Sequence, residues 1–433
     1  MLIIVGSFIF LLATGMPIAF CFLVLNLLGV YFFWGGIGGL EQLTLSIYAS
    51  LATFKLLPVP LFVLMGEVMF HSGIATMMLD TIDKWLTRLP GRLALMAVAG
   101  GTLLATLTGT SIASVALLGN VLVPQMEKRG YKKPMSIGPI IASGGIAMMI
   151  PPSALAVLLC AIGEISIGQV LIAIIIPGLV MAALYAAYII TRCKLQPAVA
   201  PSYEVPSSNL SDRLKATVRD VFPLVFIIFM VIGVIFFGIA TPSEGAATGA
   251  LATIIVCVCY RRFNWHIMKT AVASTLRITV MMFMIIAGST AFSQILAYTG
   301  ASAGMIEMLV RFEFAPIFVF MTMQFILLIL GTFMDPVSMM MLSLPIFIPI
   351  VKALHFNQIW FATIMLINVE LATKTPPFGM LLFVMKGVAP PDTTMGDIIR
   401  AEVPFLLLDL TAMILVMIFP FLALWLPNMM DSL

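Results

Sequence analysis

Long apolar stretches recur along the whole chain, and they restrict its fold more than any other feature. A helix needs about 20 consecutive apolar residues to cross a membrane. Hydrophobic residues make up 62% of the 433 residues and charged residues only 9%, against roughly 25% charged residues in soluble domains. We therefore predict an all-α, polytopic membrane protein whose surface faces mostly lipid. The candidate segments are 1–14, 17–34, 56–74, 93–126, 134–163, 168–191, 221–240, 244–260, 275–298, 315–351, 358–386 and 402–427.

Other classes of protein find little support in the sequence. The net charge of +3 is too small for a nucleic-acid-binding surface. The enzyme motifs HExxH, GxSxG and GxxxxGK(S/T) do not occur, and the histidines and cysteines form no metal-binding pattern. We expect no enzyme activity and no cofactor. The apolar residues 1–12 lack a basic flank and a cleavage site, so we interpret them as a retained membrane segment.

The two halves of the chain resemble each other in the spacing of their prolines, which recurs after 225 residues. The matched positions are Pro17 and Pro242, Pro124 and Pro349, and Pro151-Pro152 and Pro376-Pro377. A polar stretch rich in proline and serine separates the halves and typically forms a linker. We predict a first repeat over 1–191, a cytoplasmic linker with an amphipathic helix over 192–220, and a second repeat over 221–433.

Lysine and arginine indicate how the two repeats face the membrane, because both concentrate on the cytoplasmic side. Most of the 22 basic residues fall in five stretches, which are 77–92, 127–133, 192–219, 261–277 and 386–400. If these stretches are cytoplasmic, the parts of the second repeat that match the first two lie outside. The repeats are then inverted relative to each other, as in many secondary transporters.

Two apolar segments are too long for a single span, yet each is predicted to begin and end on one side of the membrane. Residues 93–126 are flanked by basic residues at both ends, and 315–351 occupies the matching place in the second repeat. We predict two re-entrant helical hairpins with tips near 108–111 and 331–336. Backbone that is not helical at membrane depth must be packed in protein or line a polar cavity.

A helix interrupted by a proline pair accompanies each predicted hairpin. Proline removes a backbone donor and disfavours helical geometry in the residue before it. We therefore expect segments 134–163 and 358–386 to break at their proline pairs. The half-helix ends that such breaks create offer carbonyl groups to a cation and amide groups to an anion.

Oxygen-bearing side chains near the tips and breaks match the ligands that hard cations such as sodium prefer. A charged side chain in hydrocarbon costs about 3 kcal/mol, which favours a functional role for Asp335. The candidate substrate- or ion-binding residues are Thr108, Gly109, Thr110, Ser111, Ser114, Gly145, Pro151, Pro152, Gly331, Thr332, Asp335, Asn368, Thr373, Thr375, Pro376, Pro377 and Gly379. The sodium-binding candidates among them are Thr110, Ser111, Thr332, Asp335 and Thr373.

The same features also have structural interpretations. Small residues at 108–111 suit close helix packing, and proline pairs also produce simple kinks. Glu370 and Lys374 are spaced i, i+4, which suits a structural ion pair. Asp409 lies toward the end of its apolar segment, so we expect it to act as an anchor.

The motifs at the two proline pairs resemble those of the large membrane subunit of tripartite ATP-independent periplasmic (TRAP) transporters. They read Gly145-Ile-Ala-Met-Met-Ile-Pro-Pro-Ser153 and Asn368-Val-Glu-Leu-Ala-Thr-Lys-Thr-Pro-Pro-Phe-Gly379. The resemblance covers essentially the whole chain. It implies an ion-transporter-like fold of the elevator type, in the bacterial inner membrane, with sodium and a substrate carboxylate held at the tips and breaks. It also implies two partners, a small four-helix membrane subunit and a periplasmic substrate-binding protein.

Two hypotheses of function follow. In the first, the chain imports an organic acid together with sodium, and the binding protein selects a C4-dicarboxylate, an oxo acid or a sugar acid. In the second, the chain is an autonomous ion-coupled carboxylate carrier that needs no binding protein. A passive channel would not require paired broken helices that face two hairpins.

Overall fold

The computed structural model of the chain describes residues 2–34, 36–86, 89–108, 111–201, 209–300 and 314–430, together with Gly304 and Glu307. All regular secondary structure within these residues is helical. The helices of the first half are α1 (Leu2–Ala13), α2 (Ile18–Phe33), α3 (Ile37–Leu51), α4 (Pro58–Ser72), α5 (Ile74–Trp85), α6 (Arg92–Thr108), α7 (Ser111–Lys128), α8 (Lys133–Ser136), α9 (Gly138–Gly145), α10 (Ala154–Gly163), α11 (Ile167–Ala173) and α12 (Ile175–Leu195).

The remaining helices form the linker and the second half. They are α13 (Leu210–Asp220), α14 (Phe222–Ile228), α15 (Val234–Phe236), α16 (Pro242–Cys259), α17 (Trp265–Tyr298), α18 (Pro316–Gly331), α19 (Pro336–Ala353), α20 (Gln358–Lys374), α21 (Met380–Val388), α22 (Met395–Ile418) and α23 (Phe421–Met430). A π-helical turn, Phe229–Gly233, connects α14 to α15.

Six helical segments in the described part of the chain are long and apolar enough to cross a membrane. They are Phe54–Ser72, Ile167–Leu195, Pro242–Cys259, Trp265–Tyr298, Pro336–Ala353 and Met395–Ile418. Large apolar side chains also cover the outside, with Phe32 71% and Phe54 86% exposed. An apolar surface of this extent suits lipid better than water. The prediction of a polytopic, all-α membrane protein is confirmed.

Helix α3 was not expected from the sequence. Glu41 and Gln42 interrupt its apolar pattern, so the segment fails a test based on hydrophobic runs alone. In the structure α3 packs against α17, where the Ser46 hydroxyl donates a hydrogen bond to Gln294. A contact between distant parts of the chain therefore stabilises a helix that local hydrophobicity does not predict.

The paired helices α6 and α7, and likewise α18 and α19, pack against a neighbouring interrupted helix. In the first half a Cβ on Gly144 of α9 would lie 2.3 Å from Val115 Cγ2. In the second half a Cβ on Gly331 would lie 2.2 Å from Ala372 Cβ of α20. A larger residue at either glycine would push the helices apart. Close contacts at glycine thus allow both helix pairs to pack tightly against the neighbouring interrupted helices.

The interrupted helices separate at the proline pairs. In the first half, α9 ends at Gly145 and α10 begins at Ala154, where Ser153 caps the new helix by accepting a hydrogen bond from Ala156 N at 3.3 Å. In the second half, α20 ends at Lys374 and α21 begins at Met380. The inverted orientation of the two halves in the membrane stays a prediction.

The linker helix α13 attaches to α5 through side chains. The Trp85 indole donates a hydrogen bond to Thr217 Oγ1 at 2.8 Å, and Thr81 Oγ1 donates to Asp220 Oδ2 at 2.7 Å. The linker therefore docks on the first half immediately before α14 begins.

Candidate functional site

A cavity of about 1190 Å³ lies between the two helix pairs. Its volume is somewhat larger than the roughly 300–1,000 Å³ typical of small-molecule sites. The tip of the second pair forms one wall, and residues of α7, α10 and α17 form others. Three of the predicted site residues contribute polar groups to the lining: Ser111, Asp335 and Thr373.

The first tip reaches the cavity through Ser111, the first residue of α7. Its hydroxyl is buried and donates a hydrogen bond to Glu370 Oε2 at 3.3 Å. Ser114 lies one turn further along α7, is fully buried and does not line the cavity. Gly109, Thr110 and the side chain of Thr108 lie outside the described residues.

The second tip places the Asp335 carboxylate at the start of α19. The carboxylate accepts hydrogen bonds from Val337 N at 3.1 Å and Ser338 N at 3.2 Å, and from the Ser338 hydroxyl. Asp335 is thus the N-cap of its own helix while also facing the cavity. Thr332 turns its hydroxyl to Ile329 O at 2.7 Å and does not line the cavity.

The second proline break contributes Thr373, whose hydroxyl donates to Glu370 O at 2.7 Å and retains acceptor capacity toward the cavity. Thr375 Oγ1 bonds to Leu371 O at 2.8 Å. Asn368 faces away, because its amide donates to Gln324 O at 2.7 Å and Gln324 Oε1 at 2.9 Å on α18. Asn368 therefore connects two helices and does not line the cavity.

The two proline pairs differ in their surroundings. Pro151 and Pro152 are buried, whereas Pro377 is exposed and Pro376 is half-buried. None of these four prolines lines the cavity, although Ala154, just beyond the first pair, does.

A buried ionic network lies directly behind the cavity. Lys374 Nζ is 2.6 Å from Asp409 Oδ2 and 3.5 Å from Glu370 Oε1, and all three side chains have no exposed surface. The Tyr185 hydroxyl donates a hydrogen bond to Asp409. Burying charges is costly unless they are paired, so the three groups depend on one another.

The sequence interpretation of this network was partly wrong. Glu370 and Lys374 do form the expected i, i+4 pair, but the shorter contact of Lys374 is to Asp409. Asp409 is not an anchor near a membrane surface, because its side chain is completely buried in the core. A charged residue inside the apolar segment 402–427 was the signal in the sequence that could have pointed to this role.

Gly145 allows the first broken helix to approach the network. A Cβ at this position would lie 1.8 Å from Glu370 Oε1 and 2.8 Å from Lys374 Nζ. Gly379, after the second break, is similarly restricted, because its Cβ would lie 2.8 Å from the carbonyl carbon of Lys374. Two predicted site glycines therefore act by making room around Lys374.

Comparison with known proteins places this architecture in a family. A sequence profile described as "Tripartite ATP-independent periplasmic transporter, DctM component" matches residues 5–422. The chain belongs to this family. The resemblance seen in the proline motifs is thereby confirmed, as is the expectation that the protein is not an enzyme but a component of a transporter.

Several relatives of this TRAP permease cover nearly the whole chain. It is 29% identical to the C4-dicarboxylate TRAP transporter large permease DctM of Pseudomonas aeruginosa over 90% of both chains. It is 28% identical to the ectoine TRAP transporter large permease TeaC of Halomonas elongata over 99% of both. It is 27% identical to the 2,3-diketo-L-gulonate TRAP transporter large permease YiaN of Escherichia coli over 96% of both.

Two solved structures share the fold of this permease. The YdaH transporter of Alcanivorax borkumensis superposes with a TM-score of 0.65 at 14% identity, covering 91% of this chain and 90% of YdaH. MtrF of Neisseria gonorrhoeae gives a TM-score of 0.63 at 15% identity, covering 90% of this chain and 85% of MtrF. At these identities the likeness concerns the fold alone.

Proposed function

We propose that this TRAP permease resides in the bacterial inner membrane and imports a small organic acid together with sodium. The cavity carries the proposal, because Ser111, Asp335 and Thr373 bring both helix pairs and the second proline break to one space. Broken helices that meet at a shared site are typical of secondary transporters.

The substrate is proposed to be a carboxylate. Relatives of the chain are named for C4-dicarboxylates, ectoine and 2,3-diketo-L-gulonate. Helices α7 and α10 both begin at the cavity, at Ser111 and Ala154, and the amide groups of a helix N-terminus attract anions. A carboxylate at these helix starts would not need a basic side chain.

Sodium is proposed to bind the oxygen-bearing side chains of the same cavity. Ser111, Asp335 and Thr373 supply two hydroxyl groups and one carboxylate, which suits a hard cation. Thr332 and Thr110 remain sodium-ligand candidates from the sequence. When bound, sodium would supply positive charge beside the substrate carboxylate and couple its uptake to the sodium gradient.

Two partner proteins are proposed to complete the transporter, a small four-helix membrane subunit and a periplasmic substrate-binding protein. The family description of a tripartite transporter supports three components. The isethionate TRAP transporter permease DctMQ of Oleidesulfovibrio alaskensis matches this chain over only 60% of its own length. That protein therefore carries further sequence in one chain, which fits a fusion with the small subunit.

Transport is proposed to use an elevator-like motion of two inverted repeats. This arrangement requires both ends of α6–α7 on one side of the membrane and both ends of α18–α19 on the other. Single cysteines at Leu89, Lys128, Phe314 and Lys352 can report this after Cys259, which is exposed, is replaced by serine. A membrane-impermeant maleimide should label the first two from the cytoplasm and the last two from outside. Opposite labelling of Leu89 and Lys128 would overturn the hairpin.

Uptake by reconstituted vesicles tests the function directly. The chain, its small subunit and its binding protein would be supplied with labelled C4-dicarboxylate, ectoine or sugar acid, with sodium or potassium outside. We expect uptake only when sodium and the binding protein are both present. Uptake by the permease alone would favour the autonomous carrier, and uptake that persists without sodium and binding protein would overturn the proposal.

A further inference from the structure

The buried network behind the cavity contains more acidic groups than one lysine can neutralise. Glu370, Glu402 and Asp409 share Lys374, and none of these side chains has exposed surface. Glu402 lies within electrostatic range of the other three. If all three carboxyl groups were ionised, the network would carry a net charge of −2 in a medium that penalises isolated charge strongly.

Glu402 differs from the other two acids in its contacts. Asp409 binds Lys374 at 2.6 Å, and Glu370 accepts a hydrogen bond from Ser111 and lies 3.5 Å from Lys374. Neither carboxyl oxygen of Glu402 has a hydrogen-bond partner among the residues that the structure describes. An ionised carboxylate in this position would lose its hydration without compensation.

The groups that could neutralise Glu402 come from the helices packed on α22. Four of these groups already contact one another. They are Lys374 and Glu370 on α20, Asp409 on α22 itself and Tyr185 on α12. The other cationic side chains on these helices bind elsewhere or are exposed. Lys133 pairs with Asp392 and Asp397, and Lys386 donates to Thr393 O. Arg192 on α12 donates to the Tyr188 hydroxyl at 2.9 Å, and Lys194 and Arg400 are exposed. Helices α9 and α23 contain no titratable side chain.

A metal ion does not fit this position. The described residues contain no group of three acidic, histidine or cysteine side chains that could hold one, and hard cations take about six oxygen ligands. A proton needs neither space nor further ligands. We propose that Glu402 is a proton-binding site in the core of the permease, held there as the neutral carboxylic acid.

Thermal unfolding of the purified full-length permease tests the site without depending on sodium coupling. An unfolded glutamate releases its proton near pH 4.3, whereas folded Glu402 keeps it. Each pH unit above that value then lowers the folding equilibrium constant about tenfold, until the folded group also ionises. We expect the apparent Tm of the wild type to fall relative to that of Glu402→Gln as the pH rises above about 4.3.

Glu127→Gln is the matched control, because Glu127 is an exposed glutamate on α7. Its Tm should follow that of the wild type across the same range. A constant difference between the Tm values of the wild type and Glu402→Gln at every pH would overturn the proposal, because both proteins would then bind equal numbers of protons.

Infrared spectroscopy provides a measurement that does not require Glu402→Gln to fold. The wild type at neutral pH should absorb at the carbonyl frequency of a protonated carboxylic acid. The conservative variant Glu402→Asp should shift that band, and Glu127→Gln should leave it unchanged. Absence of the band from the wild type, or a band that Glu402→Asp leaves in place, would overturn the assignment.

Discussion

The two hairpin tips satisfy their polar groups in opposite ways. Ser111 at the first tip reaches into the other half of the chain, where its hydroxyl binds Glu370. Asp335 at the second tip binds backbone amides of its own helix. The geometry of the first tip therefore depends on the buried ionic network, whereas the second tip is stabilised locally. The two tips are therefore stabilised in different ways.

The proline motifs show the same divergence at one matched pair of positions. Gly145 and Glu370 are separated by the repeat offset of 225 residues, and in the structure they lie against each other. The absence of a side chain in one half makes room for a carboxylate in the other. The two halves of the chain are therefore complementary at this contact, and the predictions below separate their contributions.

Replacing Lys374 with methionine should have the largest effect. It removes the ammonium group 2.6 Å from Asp409, and breaking a buried ion pair from one side costs about 3–5 kcal/mol. We expect a marked loss of folded protein, measured by size-exclusion chromatography and thermal unfolding in detergent.

Two further variants test whether the broken ion pair causes the loss of folded protein. Lys352→Met is the matched control, because Lys352 is exposed at the end of α19, and it should behave like the wild type. Adding Asp409→Asn to Lys374→Met should restore part of the lost stability, because the uncompensated charge is removed as well. Equal stability of Lys374→Met and Lys352→Met would show that the network is not a structural element.

Gly145→Ala should have the next largest effect. The added methyl group would lie 1.8 Å from Glu370 Oε1, and overpacking of this kind costs about 1–3 kcal/mol. Gly387→Ala is the control, because a Cβ there has no neighbour within 4 Å and alanine favours the helix by about 0.5–1 kcal/mol. The Tm should fall for Gly145→Ala and rise for Gly387→Ala. Similar shifts for both variants would argue against close contact between the two halves.

Ser111→Ala should cost less, because it removes one hydrogen bond to a carboxylate, worth about 1.5–3 kcal/mol when the acceptor is charged and less at the observed 3.3 Å. We also expect slower uptake, because the first tip loses its connection to α20. Thr322→Ala removes an exposed hydroxyl that bonds only to its own helix and should change neither stability nor uptake. Equal stability and equal uptake of Ser111→Ala and Thr322→Ala would show that the first tip does not depend on its hydrogen bond to Glu370.

Much of this arrangement follows from local sequence, and the remainder depends on contacts between distant residues. The proline pairs predict the helix breaks, and the small polar residues led to Ser111, Asp335 and Thr373 at the cavity. Asn368 was selected by the same criterion but packs on Gln324, because composition near a break does not specify which face of a helix a residue occupies.

The buried ionic network could be predicted from the sequence only in part. Glu370 and Lys374 could be paired by helical spacing, but Asp409 and Tyr185 are separated by 224 residues. The contact between those two depends on how α12 and α22 pack. Hydrophobicity identified both helices as apolar, yet it contains no information about which of their polar residues face each other.

The smallest effect on stability is expected for Asp335→Asn, and it addresses the second tip directly. Asparagine caps helices about as well as aspartate, so thermal unfolding should match that of the wild type. The variant lacks the negative charge, and a loss of about 1.4 kcal/mol in ion binding raises the half-saturating sodium concentration about tenfold. Asp335→Ala should show the same sodium effect and also lose about 0.5–2 kcal/mol of stability with the cap. Sodium-dependent uptake measured for both variants separates the two roles, and an unchanged half-saturating concentration in Asp335→Asn would leave Asp335 with the capping role alone.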